Sequence, residues 1–243
     1  MSLKEYITEA ISSSSEISGI KYNHSFTDRN GKRHENGYKP EDLKSLKKLL
    51  DVLIDERGDK GDFNDIDTSK ITDMSHLFDG YNDFNGDITG WDTSKVERMT
   101  LMFRRASSFN QQIGDWDMSR VEDILGMFDG ATSFNQPIGE WNTNRVYRMN
   151  GMFNGATSFN QPIGDWDTSK VWDMSYMFSR ASSFNQPIGD WDTSKVKDMD
   201  AMFYKAKSFN QDISNWNTSR VPFVINMFDD CPIKDEYKPT GLK

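Results

Sequence analysis

The sequence has one cysteine, Cys231, in 243 residues. A lone thiol excludes an internal disulfide framework and a cysteine-cluster zinc site, so stability has to come from packing. Histidine is scarce as well: His24, His34 and His76 are scattered, and neither G-x-S-x-G nor H-E-x-x-H occurs. With no sign of an activating partner for Cys231 either, an enzyme is not expected, and no cofactor is implied. Long apolar runs are also missing. The nearest approach, Leu49 to Ile54, is interrupted by Asp51 and falls far short of the roughly 20 residues a membrane span needs. The opening M-S-L-K-E-Y-I-T-E-A-I-S-S-S-S lacks the apolar core of a secretory signal, so either the protein stays inside the cell or a signal has been removed. Excess positive charge is absent too. A net charge of −9 and a pI near 4.9 argue against a nucleic-acid partner, whose affinity comes from clustered Lys and Arg.

What the sequence has is a period. Trp91, Trp116, Trp141, Trp166, Trp191 and Trp216 fall 25 residues apart. Phe84, Phe109, Phe134, Phe159, Phe184 and Phe209 keep the same spacing, each followed by Asn, and an Ile stands four residues after each Phe. Such a fixed period marks a repeat architecture. The first unit is degenerate, with Ile66 in the Trp slot, and the last stops after Met227-Phe228, with Lys234 where the Phe would stand, which are the marks of capping repeats. The expected organisation is a tail over 1–20, a cap over 21–64 containing a helix at 41–57, and about seven repeats over 65–243.

Within the unit Trp166 to Asp190, Val171, Met174, Met177, Phe178 and Ala181 recur at helical intervals, with Thr168 or Ser169 placed to cap the first amides. This predicts a helix of about three turns, and the segment from Phe184 through Ile188 to Trp191 and Thr193 then reads as a brief strand. The expected fold class is therefore α/β, a leucine-rich-repeat-like solenoid with one short helix and one short strand per repeat. Burying a large apolar side chain contributes roughly 1.5–3 kcal/mol, but only where a neighbouring unit covers it.

The units, with their V-x-D-M-S-x-M-F-x-x-A-x-x-F-N-Q-x-I-x-x-W-D-x-S pattern, resemble the BspA-type leucine-rich-repeat surface proteins of bacteria. The likeness spans about 175 residues. It implies a solenoid and a protein displayed on the cell surface or outside the cell that adheres or takes part in host contact, without naming a ligand.

The Asn after each Phe, Asn85 to Asn210, reads as a ladder that satisfies backbone groups in the turns. Acidic residues flanking the tryptophans, such as Asp165 with Asp167 and Asp190 with Asp192, form rows on successive units. Either the basic row Lys95, Arg120, Arg145, Lys170, Lys195 and Arg220 offsets them, or they hold calcium, which prefers several oxygens. Positions that vary from unit to unit are the ones the scaffold does not demand. One outer slot holds Glu97, Glu122, Tyr147, Trp172, Lys197 and Pro222, and Tyr176 follows Trp172 by four residues. Tyr147, Trp172 and Tyr176 are the candidate ligand-binding residues, suited to protein or carbohydrate contact; the alternative is that they pack on neighbouring helices or on another copy.

Ahead of the repeats, K-P-E-D-L-K-S-L-K-K-L-L-D-V-L-I-D-E-R-G reads as a capping helix with Leu43, Leu46, Leu50, Leu53 and Ile54 on its apolar face. Asn30-Gly31 and Asn36-Gly37 mark turns in a hairpin or loop between Lys21 and Tyr38. Leu3 to Ala10 resembles the capsid-targeting peptides of internal head proteins in some tailed phages, with Ile7-Thr8-Glu9 as the cleavage triplet; the alternative is a terminal helix preceding the cap. These features admit an interaction or adhesion module, a calcium-stabilised structural protein, a phage-head structural protein or a glycan hydrolase, of which the interaction module is expected.

Overall fold

The computed structural model describes residues 20–222 and 224–241. The peptide Leu3–Ala10 and the serine run after it lie outside the described residues. Strands β1 (Ile20–Thr27) and β2 (Arg33–Pro40) form an antiparallel hairpin. Its turn is closed by the Asp28 amide on the Lys32 carbonyl at 2.9 Å, with Gly31 at φ 83°. Asn36-Gly37 makes no second turn. Gly37 sits inside β2, where a Cβ would come within 2.5 Å of the Phe26 ring and 2.7 Å of the Asp65 carbonyl. The glycine is required by that close approach.

Helix α1 (Leu43–Arg57) starts at a capping box, in which the Asp42 carboxylate accepts from the Ser45 amide and the Ser45 side chain accepts from the Asp42 amide. It ends where the Gly58 amide donates to the Ile54 carbonyl. Leu46, Leu49, Leu50 and Leu53 are buried in the same core as Phe63, Ile66 and Ile71 of the first coil. Across this joint β2 pairs in parallel with the repeats, Tyr38 opposite Ile66.

The repeat region is a stack of 25-residue coils without helices; among the described residues the only helical turn beyond α1 is the 3-10 segment Asp235–Tyr237. The helix expected over Val171 to Ala181 and the strand expected over Phe184 to Thr193 are both absent. Instead, alternate amides of the would-be helix reach into the next coil. Met99, Leu101, Phe103 and Arg105 donate to the carbonyls of Asp123, Leu125, Met127 and Asp129 at 2.7–3.0 Å. The amides between them close tight turns, Met102 on Met99 and Arg104 on Leu101, each at 3.2 Å. Parallel bridges from Asp73 through Arg98, Asp123, Arg148 and Asp173 to Asp198 lie in this same segment. The pairing thus sits where a helix was expected.

Spacing explains why turns take the place of a helix. Phe78, Phe103, Phe128, Phe153, Phe178, Phe203 and Phe228 stack ring on ring with centroids 5.4–5.9 Å apart. Helices pack about 8–10 Å apart and cannot follow that rise. Successive turns bury the same residues that a helix stripe would, and Val171, Met174, Met177, Phe178 and Ala181 are all fully buried. The turns are possible because two slots per coil adopt positive φ, for example Leu101 (54°) and Arg105 (61°), or Tyr176 (57°) and Arg180 (59°).

Polar ladders tie the coils together. Each ladder Asn accepts the amide of the next through its Oδ1, as in Asn160 on Asn135 at 2.9 Å. Thr168, expected to cap a helix, donates instead to the Asp192 carbonyl of the following coil at 3.1 Å. The Trp166 indole donates back to the Ile138 carbonyl at 3.0 Å, and its ring stacks on Trp141 with centroids 6.2 Å apart. Trp166→Ala removes ring packing and that bond together, and should lower stability by about 3–5 kcal/mol. A denaturant melt with an unchanged midpoint would contradict the stacked core.

Candidate functional site

The outer slot runs up the stack as a hydrogen-bonded row. The Glu122 amide donates to the Glu97 carbonyl, Tyr147 to Glu122, Trp172 to Tyr147 and Lys197 to Trp172, at 2.9–3.2 Å. Backbone pairing therefore places Tyr147 and Trp172 side by side on adjacent coils. Both project outward, 37% and 40% exposed, and Tyr176, one left-handed turn further along the coil of Trp172, is 51% exposed. Turns rather than a helix face position this group, and its rings do not stack on one another. The six ladder tryptophans are at most 4% exposed. Trp172 is the seventh tryptophan and the one outside the ladder.

Beside the outer slot runs the bridged row of charges. Arg98 pairs with Asp73 at 2.8 Å and Arg148 with Asp123 at 3.1 Å, each reaching back one coil. The alternation stops at Asp173 and Asp198. Burial, and then the neighbouring Asp200 and Asp173 carboxylates, hold Asp198 above the usual carboxylate range.

The acidic rows flanking the tryptophans serve another purpose. Asp117, Asp167 and Asp192 accept the amides of Ser119, Ser169 and Ser194 at 2.9 Å, and these bonds hold their carboxyls below the usual range. They are turn-forming residues. Among the described residues no ion pair joins them to the row from Lys95 to Arg220, and no group of three or more His, Cys, Asp or Glu is arranged to hold a metal.

A second feature escapes a sequence search built on large residues. In the first left-handed slot the order along the stack is Leu101, Gly126, Gly151, Tyr176, and in the second it is Arg105, Gly130, Gly155, Arg180. A Cβ on Gly151 would meet nothing nearer than the Gly126 Cα at 4.0 Å, and one on Gly155 only the Gly130 backbone at 3.7–3.8 Å. The two middle coils therefore leave a notch beside Tyr176. Asp129 stands in it, accepting from the Asn154 side-chain amide at 2.9 Å. Burial pushes the Asp129 carboxyl up, and the Asn154 bond with the Arg104 and Arg105 charges offsets this only in part. The signal available beforehand was the glycine pair itself, recurring at slots where other units carry side chains.

Stacked coils with interlocking ladders define a repeat protein. The family model described as "Mycoplasma protein of unknown function, DUF285" matches residues 48–157 and again 137–237, and the chain belongs to that family, a bacterial repeat family. No curated relative and no solved structure matches the chain.

The raised Asp129 pKa has a pH signature. A carboxyl easier to protonate in the fold than in the unfolded chain weakens stability once pH rises above its unfolded value, near 3.9. Asp129→Asn should accordingly raise the melting midpoint at about pH 7, and the gain should vanish near pH 3. An equal gain at both pH values would show that the effect is not electrostatic.

Proposed function

We propose that this chain is a non-enzymatic interaction module, a solenoid akin to the leucine-rich-repeat surface proteins of the BspA type, which presents its outer row to a protein or glycan at a bacterial cell surface. The observation that carries the proposal is the exposure of Trp172 beside Tyr147 and Tyr176, in a molecule whose other tryptophans are all inside the stack. Exposed aromatic groups of this kind offer large, rigid contact area at low entropic cost. Backbone conformation supports the same reading. Tyr176 occupies a left-handed slot that Gly126 and Gly151 fill on the preceding coils, and a side chain held there costs about 1–3 kcal/mol. A residue kept at that expense, with half its surface in solvent, contributes little to the core and is suited to contact. The calcium-stabilised role has less support, since the acidic rows are engaged in turns.

Replacing Tyr147, Trp172 and Tyr176 together by Ser should leave the near-ultraviolet signal of the buried tryptophans and the denaturant midpoint intact. Capture on immobilised extracellular-matrix proteins and glycans should fall at least about tenfold, which corresponds to 1.4 kcal/mol. Undiminished capture by the folded triple variant would remove the patch from the binding surface.

A further inference from the structure

Five buried side-chain atoms among the described residues have no hydrogen-bond partner: Trp116 Nε1, Arg148 Nε, Asn150 Oδ1, Asn154 Oδ1 and Ser179 Oγ. Three of the five belong to residues whose backbone pairs with the glycines of the notch: the Asn150, Asn154 and Ser179 carbonyls receive the amides of Gly126, Gly130 and Gly155. Ser179 itself is only 1% exposed. Buried polar groups are normally paired, so a cluster of unpaired ones marks hydrogen-bonding capacity that the chain does not itself use.

The glycines are not there for the backbone alone. At the same two slots Leu101, Tyr176 and Ala201, and Arg105, Arg180 and Lys205, hold φ values of 52–61°. Side chains are therefore accommodated in that conformation, and what Gly130, Gly151 and Gly155 add is room; the space over Gly126 is taken by Leu101, whose Cδ2 would lie 2.4 Å from a Cβ there. Leu101 and Arg105 bound the room on one side, Tyr176 and Arg180 on the other. Because the Leu101 side chain lies over Gly126, the open span in the first slot is the two inter-coil steps from Gly126 to Tyr176, roughly 10 Å at ordinary strand spacing.

The chemistry of the notch narrows its occupant. Its backbone amides are already committed: Gly126 and Gly151 donate to Asn150 and Ser175, and Gly130 and Gly155 to Asn154 and Ser179, at 2.7–2.9 Å. An added peptide strand thus finds no amides to pair with at these positions. What remains are side-chain amides, a hydroxyl, the Asp129 carboxylate and an aromatic wall, with Arg105 flanking the notch and Arg104 already paired with Asp79. A sugar ring matches this set, since its C–H face packs on an aromatic ring and its hydroxyls both donate and accept.

We propose that the notch is a saccharide subsite that takes a neutral hexose-based oligosaccharide. Tyr176 receives a ring face, while Asn150, Asn154, Ser179 and Asp129 turn their polar groups to its hydroxyls. The inference rests on the interaction-module reading and specifies its ligand class.

The test is a printed array of neutral and acidic oligosaccharides, followed by calorimetric titration of the best neutral binder. Gly151→Leu and Gly155→Arg place in the notch the residues that neighbouring coils carry at those slots. Each should remain folded at the assay temperature, with a melting temperature lowered by the left-handed backbone strain, yet weaken binding at least about tenfold, and Asn154→Ala, which adds neither bulk nor backbone strain, should weaken it as well. Two results would overturn the subsite: no neutral oligosaccharide bound by the wild-type chain, or full affinity retained by the folded variants. If the chain captures a matrix protein through Trp172 but binds no oligosaccharide, the notch is refuted and the interaction module stands. If it captures neither, both readings fall.

Discussion

The hydrogen bonds from one coil to the next set the rise of the stack, and nearly everything else in the molecule follows from that rise. At strand-like separation, rings such as Phe103 and Phe128 come to 5.6 Å and lie 5° from parallel. Helices are excluded because their diameter exceeds the rise. Each coil must then fold its apolar residues inward by tight turns, which requires left-handed residues at two slots. Because identical side chains recur at the same height, any polar residue near the core forms a ladder, and the ladder must be satisfied along the stack. The Asn, Thr and Trp ladders do this by reaching one coil forward or back.

This arrangement divides the positions of a coil into two kinds. Those that face the core or hold a ladder are constrained by both neighbouring coils, and a change there is felt on either side. Those on the outer row and at the left-handed slots are constrained only in backbone, so their side chains are free to differ. The unpaired atoms bear this out. Trp116 lacks its acceptor inside the core and Arg148 lies in the bridged row, but Asn150, Asn154 and Ser179 fall where the slots change from Leu101 and Arg105 through paired glycines to Tyr176 and Arg180.

Charge is handled by the same geometry. An alternating row such as Asp73, Arg98, Asp123 and Arg148 converts like-charge repulsion at short spacing into ion pairs, of which Arg148–Asp123, with its buried carboxylate, is the less screened. Acidic residues that have no such partner, including Asp117 and Asp167, are stabilised by amides in their own turns. A surface that looks strongly acidic in composition is therefore largely occupied with holding the coils in shape. Less of it is available for cations than the count suggests.

Much was legible in the sequence because a period carries its own alignment. The recurrence of Trp, Phe, Ile and Asn identified the residues that share a height, the ones that face inward, and the roles of Asn85 to Asn210 as internal partners. Capping signals did the same for α1, since Asp42, Ser45 and Gly58 act locally. Tyr147, Trp172 and Tyr176 could be singled out because they break the pattern. The secondary structure of the coil was not legible. Apolar residues three and four apart fit a helix and a chain of tight turns equally well, and only the distance between neighbouring coils separates the two. That distance is a property of the stack and not of any one unit. For the same reason the notch emerged only from the tertiary structure: glycine in one coil is space only when the residues above and below it are known.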